Sequence, residues 1–504
     1  MAISNITKVY LLDVPLENDY KNTLYFANAS AQQTYFQSRI VKSYTDFTYQ
    51  RKDQIIRVPE QYDTIYKCNY VMYQNSAYNN KWFYAFITDL EYINDGRTDV
   101  HIETDVIQTW YFDYNVKASF VEREHVSSDN VGEHTIPENV QLGEYIINHH
   151  FRDSNLQDNY KLVMGSTEAP SGEGAIYGGH YNGIYSGVKY YTYDSENLTA
   201  NLQYLANNNK IEAVSSLFIA PSFLIDSVGG AVQDSNTAKN YEITISGLTS
   251  LNGYTPSNKK LLTYPYCYML GSNANGSSAI YHQEKFSNLN SCVFRVVGAL
   301  TPGCSIRMFP LNYNGSELNH DEGINLGKYP QLNWATDMFT NWLTQNGVNV
   351  ATSLVGSTAM TVGSAVTGNA LGVVGGLSGI ASSLNEVYKA SLIPPQTSGN
   401  INCGDVITSI HQNTFHIYKM SIKREYAQII DKYFDMFGYK VNMVKVPNSN
   451  HRSRYWYTKT IDVNIDGDVP QNDMQKIKNA YNNGITFWRS ASDIENYSGS
   501  NGIV

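Results

Sequence analysis

VHIETDVIQTW, residues 100–110, decides the fold class. Val100, Ile102, Thr104 and Val106 alternate with His101, Glu103, Asp105 and Ile107. A period of two puts the first set on one side of an extended chain and the second on the other. One face suits a core and the other is mostly polar, as a half-buried strand requires. Alternating or aromatic-rich runs at 8–14, 55–58 and 82–90 read the same way, and LLTYPYCYML (261–270) and SCVFRVVGAL (291–300) have the composition of buried strands. The chain carries 41 Tyr in 504 residues, with many Asn and Gly. Aromatic and branched side chains pack across neighbouring strands while Asn and Gly serve turns, so the expected class is mainly β with some α (α+β).

The clearest helical periodicity lies near the C-terminus. Ile422, Tyr426, Ile429, Ile430, Tyr433 and Phe437 recur at three- and four-residue spacing, Gly438 supplies a stop, and a strand is expected at 439–446. A second helix is expected from Gln471, after Pro470, to Asn483, closed by Gly484 and followed by a strand with Ile485 and Phe487. From about Ser127 to Lys260, Gly- and Tyr-rich turns such as GEGAIYGGHYNGIYSG (172–187) point to a loop-rich outer insertion. A chain this long exceeds one ordinary core, so several domains or one framework with insertions are expected.

Between Asp337 and Glu386 there is no charged residue and no histidine. Spanning a hydrocarbon core takes about 20 helical residues, so this tract is long enough for two passes joined by a turn. Its apolar residues Val350, Leu354, Val355, Met360, Val362, Val366, Leu371, Val373, Val374, Leu377, Ile380 and Leu384 are the candidates to enter lipid. Ser364, Gly368, Gly372 and Gly376 fall four apart, and Gly375 with Gly379 repeats the spacing, a stripe along which another helix can approach closely. Asn341, Asn346, Asn349 and Asn369 dilute the tract and make insertion marginal for one copy. A buried helical hairpin and a flexible Gly/Ser/Thr loop are the alternatives.

Chemistry is sparse elsewhere. A formal net charge of −10 disfavours tight phosphate binding. Cys68, Cys267, Cys292, Cys304 and Cys403 show no metal spacing, and their odd number fits reduced thiols. The N-terminus does not read as a secretion signal, so folding in a cytoplasm is expected. His149 and His150 are adjacent and lack zinc-motif company; Glu122 and Glu124 can share one side of a strand, with ion pairing near Arg123 or solvation as their default role. No nucleophile elbow, Walker loop or dinucleotide fingerprint occurs. Neither catalytic residues nor a metal or cofactor is expected.

Several stretches resemble one family. They are DVPLENDYKNTLYF (13–26), NKWFYAFITDLEYI (80–93), VHIETDVIQTWYFD (100–113), SFVEREHV (119–126), YPYC (264–267), IPPQ (393–396), REYAQIIDKYFDMFGYKVNMVKVPN (424–448) and PQNDMQKIKNAYNNGITFW (470–488). In collinear order they resemble the tail knob, or distal tail tube, proteins of small picovirus-type podophages that infect Gram-positive bacteria. The resemblance implies a homohexameric tube at the tip of a short tail, its wall built from residues 1–126 and 396–504, with 127–260 as an inserted outer domain and 261–337 as strands returning to the tube. It also implies that residues 338–395 plug the lumen, leave it at infection and form a channel in the host cytoplasmic membrane. Viral double-stranded DNA would pass through without sequence-specific binding, and other tail proteins would be partners. The competing expectation is a protein that binds or degrades wall polymers through residues 127–260, whose tyrosines can stack on sugars.

Overall fold

A computed structural model describes residues 7–47, 54–75, 79–157, 159–170, 177–181, 184–193, 195–208, 210–225, 239–300, 303–314, 323–327, 329, 331–333 and 413–504. The chain divides into two compact units. The first comprises Met1–Leu142, Pro256–Leu261 and Glu425–Val504, and the second Gly143–Thr255 and Leu262–Arg424.

The first unit holds a six-stranded antiparallel sheet in the order Ile40–Phe47, Thr7–Leu12, Tyr70–Asn75, Trp82–Asn94, Arg97–Thr104, Ile55–Val58. A five-stranded sheet runs Asn22–Leu24, Ile485–Trp488, Tyr455–Ile461, Ser119–Glu124, Tyr439–Lys445, and its first pair is parallel. Inward side chains of both sheets and of the helix Gln471–Asn483 share one core, in which Val71, Phe83 and Ile102 join Trp456, Ile477 and Phe487. In a neighbouring cluster Phe36 stacks on Tyr70 at 5.3 Å between centroids. The mainly β class with some α is what the structure shows.

The strand expected over 100–110 ends at Thr104. Asp105 stops it by accepting the Gln108 amide (3.0 Å) and the Tyr70 hydroxyl (2.8 Å), and the chain turns into the short helix Val106–Thr109, buried throughout. An N-cap carboxylate satisfies an amide that the helix leaves unpaired, which outweighs two-residue alternation here. Burial pushes Asp105 up to about 6. Gln108 lies inside and donates to Thr23 Oγ1 (2.9 Å) and the Leu24 carbonyl (2.8 Å), while its side-chain oxygen accepts from Gln32 Nε2 (2.8 Å). Buried amides are tolerated only when paired in this way.

The C-terminal helix forms over Arg424–Phe437 and buries Ala427, Ile430, Asp431 and Phe434. Ile429, part of the expected apolar stripe, is instead exposed, and Asp431 takes an inward place. Gly438 follows with φ +64, and a Cβ there would run into the Glu124 carbonyl. Beyond it come the strand Tyr439–Lys445, the helix Gln471–Asn483 and the strand Ile485–Trp488, all at their expected places.

Among its described residues the second unit contains three antiparallel sheets. One orders Tyr145–Arg152, His416–Ile422, Cys267–Ser272 and Ser278–Tyr281; another orders Tyr177–Tyr181, Ile184–Tyr193, Tyr160–Ser166, Val214–Pro221 and Gln331–Asn333. The third orders Lys239–Ile245, Cys292–Ala299, Ser305–Pro310 and Ile324–Asn325. The helix Ser195–Asn207 adds Leu198 and Leu202 to a core shared with Leu162, Phe218, Phe294 and Phe415. Cys68, Cys267 and Cys292 are buried free thiols and Cys304 is buried; Cys403 lies outside the described residues.

Two expectations follow for the first unit. Gly438→Ala combines a left-handed backbone with a clash against main chain and should cost about 2 kcal/mol or more, read as a lowered melting midpoint. Asp435, on the helix beside buried Asp431, is pushed up to about 6 by burial and by its neighbour's charge, despite a hydrogen bond from Asn258. Its ionised form therefore weighs against the fold above about pH 6, and the penalty fades as pH falls towards the unfolded value of 3.8. Asp435→Asn should stabilise by about 1 kcal/mol at pH 7.5, allowing for solvent screening, with the gain gone near pH 4 in parallel denaturant titrations.

Candidate functional site

Every residue expected to enter lipid, from Val350 to Leu384, and every residue of the small stripe, from Ser364 to Gly379, lies outside the described residues. What the structure does define is how the chain on either side of that stretch is held. Before it, Tyr329 is buried, its amide donates to the Gly303 carbonyl (2.9 Å) and its hydroxyl to the Leu156 carbonyl (3.1 Å). The backbone of Gln331–Asn333 then pairs with Ser216, Leu217 and Phe218 at a sheet edge. After it, Thr414 donates its hydroxyl to the Asp153 carbonyl, the Asp153 amide donates to the Phe415 carbonyl (2.9 Å), and Phe415 is buried. Both flanks thus attach to residues 153–156 and to one apolar core, which contains Leu156, Tyr329, Phe415 and Ile417.

The carboxylates singled out from sequence do not form a catalytic pair. Glu124 is buried and accepts from Lys445 Nζ (2.5 Å) and the Asn448 amide (2.7 Å), whereas Glu122 is half-buried and pairs with Lys459 (2.9 Å). A bulge at Glu122 itself, which is skipped where consecutive Lys459 and Thr460 pair with Arg123 and Val121, and a further irregularity opposite it between Lys440 and Met443, break the plain alternation that would have put both on one face. Arg123 takes neither of them. It ion-pairs with buried Glu138, which also accepts from Lys260 Nζ and the Lys440 amide (2.6 and 2.8 Å). Burial pushes the Lys260 ammonium below its usual value against the pull of Glu138.

Nearby, Asp431 accepts from the Ser257 amide (2.7 Å), the Asn258 amide (3.0 Å) and Asn258 Nδ2 (2.8 Å). His125 is buried between the Tyr457 amide, which donates to its Nδ1 (2.7 Å), and the Asp435 carbonyl, 2.9 Å from its Nε2. That pairing requires the neutral ring, and burial pushes its pKa down to about 3. None of these polar centres was visible as motif spacing. The one usable signal was a carboxylate, Asp431, at the inward spacing set by Ala427, Ile430 and Phe434.

One surface of the first unit is conspicuously apolar. Val444 and Ile461 both pair with Phe120, so the three form a row across three strands, and Val444 and Ile461 are 70% and 54% exposed. Val446, two residues beyond Val444, is also exposed. Contiguous exposed apolar side chains mark surfaces that associate. Among the described residues, no group of three or more His, Cys, Asp or Glu is placed to hold a metal ion, and no helix is long and apolar enough to cross a membrane.

Comparison with known proteins places this architecture. Residues 230–502 match the family model for the C-terminal domain of the Bacillus phage phi29 tail knob protein gp9, and residues 5–115 match that for the N-terminus of caudoviral major tail proteins. The tail knob protein gp9 of Bacillus phage PZA is 29% identical over 97% of each chain, and those of phages phi29 and B103 are 27% identical over 97% and 26% identical over 95% of each chain. The solved tail knob protein gp12 of bacteriophage C1 shares the fold, with a TM-score of 0.65 at 16% identity over 99% of this chain and 100% of that one. Because the gp9 model spans more than half of its length, the chain belongs to the tail knob protein gp9 family and is a structural tail knob protein of the kind carried by short-tailed Bacillus phages.

Proposed function

We propose that six copies form a tube at the tail tip, and that residues 338–395 leave its lumen at infection to open a pore in the host cytoplasmic membrane for DNA. The observation that carries this reading is the absence of any charge or histidine between Asp337 and Glu386 in an otherwise polar chain. Such a tract brings no charge into lipid once its backbone is hydrogen-bonded, and glycines at four-residue spacing let several helices pack there and share an insertion that is marginal for one copy. The match of residues 5–115 to a major tail protein model supports a wall built from 1–126 and 396–504, with 127–260 outside it and 261–337 leading back to it. The acidic balance of the chain, −10, suits a conduit that must not grip phosphates. The protein would be made in the host cytoplasm, join other tail proteins in the virion, and need no catalytic group.

The apolar row Val444–Phe120–Ile461 is the face we assign to contact between copies. Placing a carboxylate in such a contact leaves a buried charge unpaired, so Val444→Asp with Ile461→Asp should weaken self-association at least about tenfold, seen as small species in mass photometry. Pore formation is tested separately. Full-length protein should release dye from liposomes, and a variant lacking residues 340–385 should assemble normally but release none; equal release by both would refute the membrane role.

A further inference from the structure

In the second unit, His150 Nε2 and His416 Nδ1 lie 2.8 Å apart on adjacent strands, Tyr145–Arg152 and His416–Ile422. The rings stack at 15°, and His150 also stacks on Tyr418, 4.5 Å between centroids. At that separation one proton joins the two nitrogens, since neither two lone pairs nor two N–H groups can face each other. The rest of the setting is cationic or already engaged. Arg152 stands opposite His416 in the register, and His149 opposite Lys419. Asp153, the next residue, accepts from the Tyr241 hydroxyl and the Asn155 amide (2.9 Å). The third strand presents Ser272 to His416 and brings no ionisable group there. His416 is 4% exposed, and its Nε2 is buried with no hydrogen-bond partner among the described residues.

We propose that the His150–His416 pair is an acid-sensitive latch on this sheet: it closes the strand pair while one proton lies between two neutral imidazoles, and uptake of a proton by each ring sets N–H against N–H between two cations and parts the strands. His416–Ile422 is the first described strand after the uncharged tract, so loosening it loosens the chain that follows that tract. Burial, with His150 and Arg152 close by, pushes His416 down to about 4, and burial, with His149 and Arg152 close by, lowers His150. The sign follows from linkage. Histidines held below their unfolded value of 6.5 support the fold above that pH and withdraw support as pH falls towards 4.

Hydrogen exchange on the full-length protein, corrected for the intrinsic pH dependence of amide exchange, provides the test. In the wild type, protection of amides in 145–152 and 416–422 should fall about tenfold or more between pH 7 and pH 4.5, relative to the strand Tyr455–Ile461 of the first unit. His150→Phe keeps an aromatic ring on Tyr418 but takes up no proton, and should reduce that difference at least about threefold while leaving protection at pH 7 within about threefold. His416→Phe should act in the same direction. If both variants lose protection with acid as the wild type does, or if the wild-type strands show no acid response, the latch is refuted.

Discussion

Two buried carboxylates, Glu138 and Asp431, hold together a unit that the chain has to assemble from three separate pieces. Residues up to Leu142, the short segment Pro256–Leu261 and everything after Glu425 belong to the first unit, with long excursions between them. Apolar packing alone would not fix so short a middle piece. Asp431 anchors it through the amides of Ser257 and Asn258, and Glu138 ties its Lys260 to Arg123 and to the Lys440 amide. A buried ion is costly unless every lone pair is used, and each of these carboxylates has several donors. Once made, such a cluster tolerates few other arrangements of the three pieces, so its main effect is on uniqueness rather than on net stability.

The same desolvation sets the polar chemistry of the interior. Asp105, Asp435, His125 and Lys260 are all moved towards their neutral forms by burial, the acids upward and the bases downward. Perturbed groups often mark catalysis, yet each of these is engaged by backbone or side-chain partners that have structural roles. Asp105 caps a helix, His125 bridges a strand amide and a helix carbonyl, and Lys260 closes an ion pair.

Alternating or aromatic-rich runs located the strands at 55–58 and 82–90 and three-and-four spacing the helix at 424–437, because those elements bury one face against a continuous core, while Pro470 and Gly484 marked the ends of the helix at 471–483. Reading failed where a single hydrogen bond overrode the pattern, as at Asp105, and where a bulge at Glu122 broke its alternation with Glu124. The apolar row on the first unit escaped notice because Phe120, Val444 and Ile461 are far apart in sequence and meet only through strand register. The uncharged tract, by contrast, was legible from composition alone, since absence of charge over such a length needs no fold to be seen.

How the tract is tethered constrains how it can act. Two passes through a bilayer return a chain to the side from which it set out, so a hairpin needs both of its ends on that side, whereas a single pass would separate them by roughly 30 Å. Tyr329 before the tract, and Thr414 and Phe415 after it, are fastened to residues 153–156 of one core. Parting those anchors would break hydrogen bonds to the Leu156 and Asp153 carbonyls and expose two aromatic rings, each burying ~150 Å² or more of side-chain surface. An even number of passes leaves all of that intact. On the proposed membrane role, this tether suits a hairpin better than a single span.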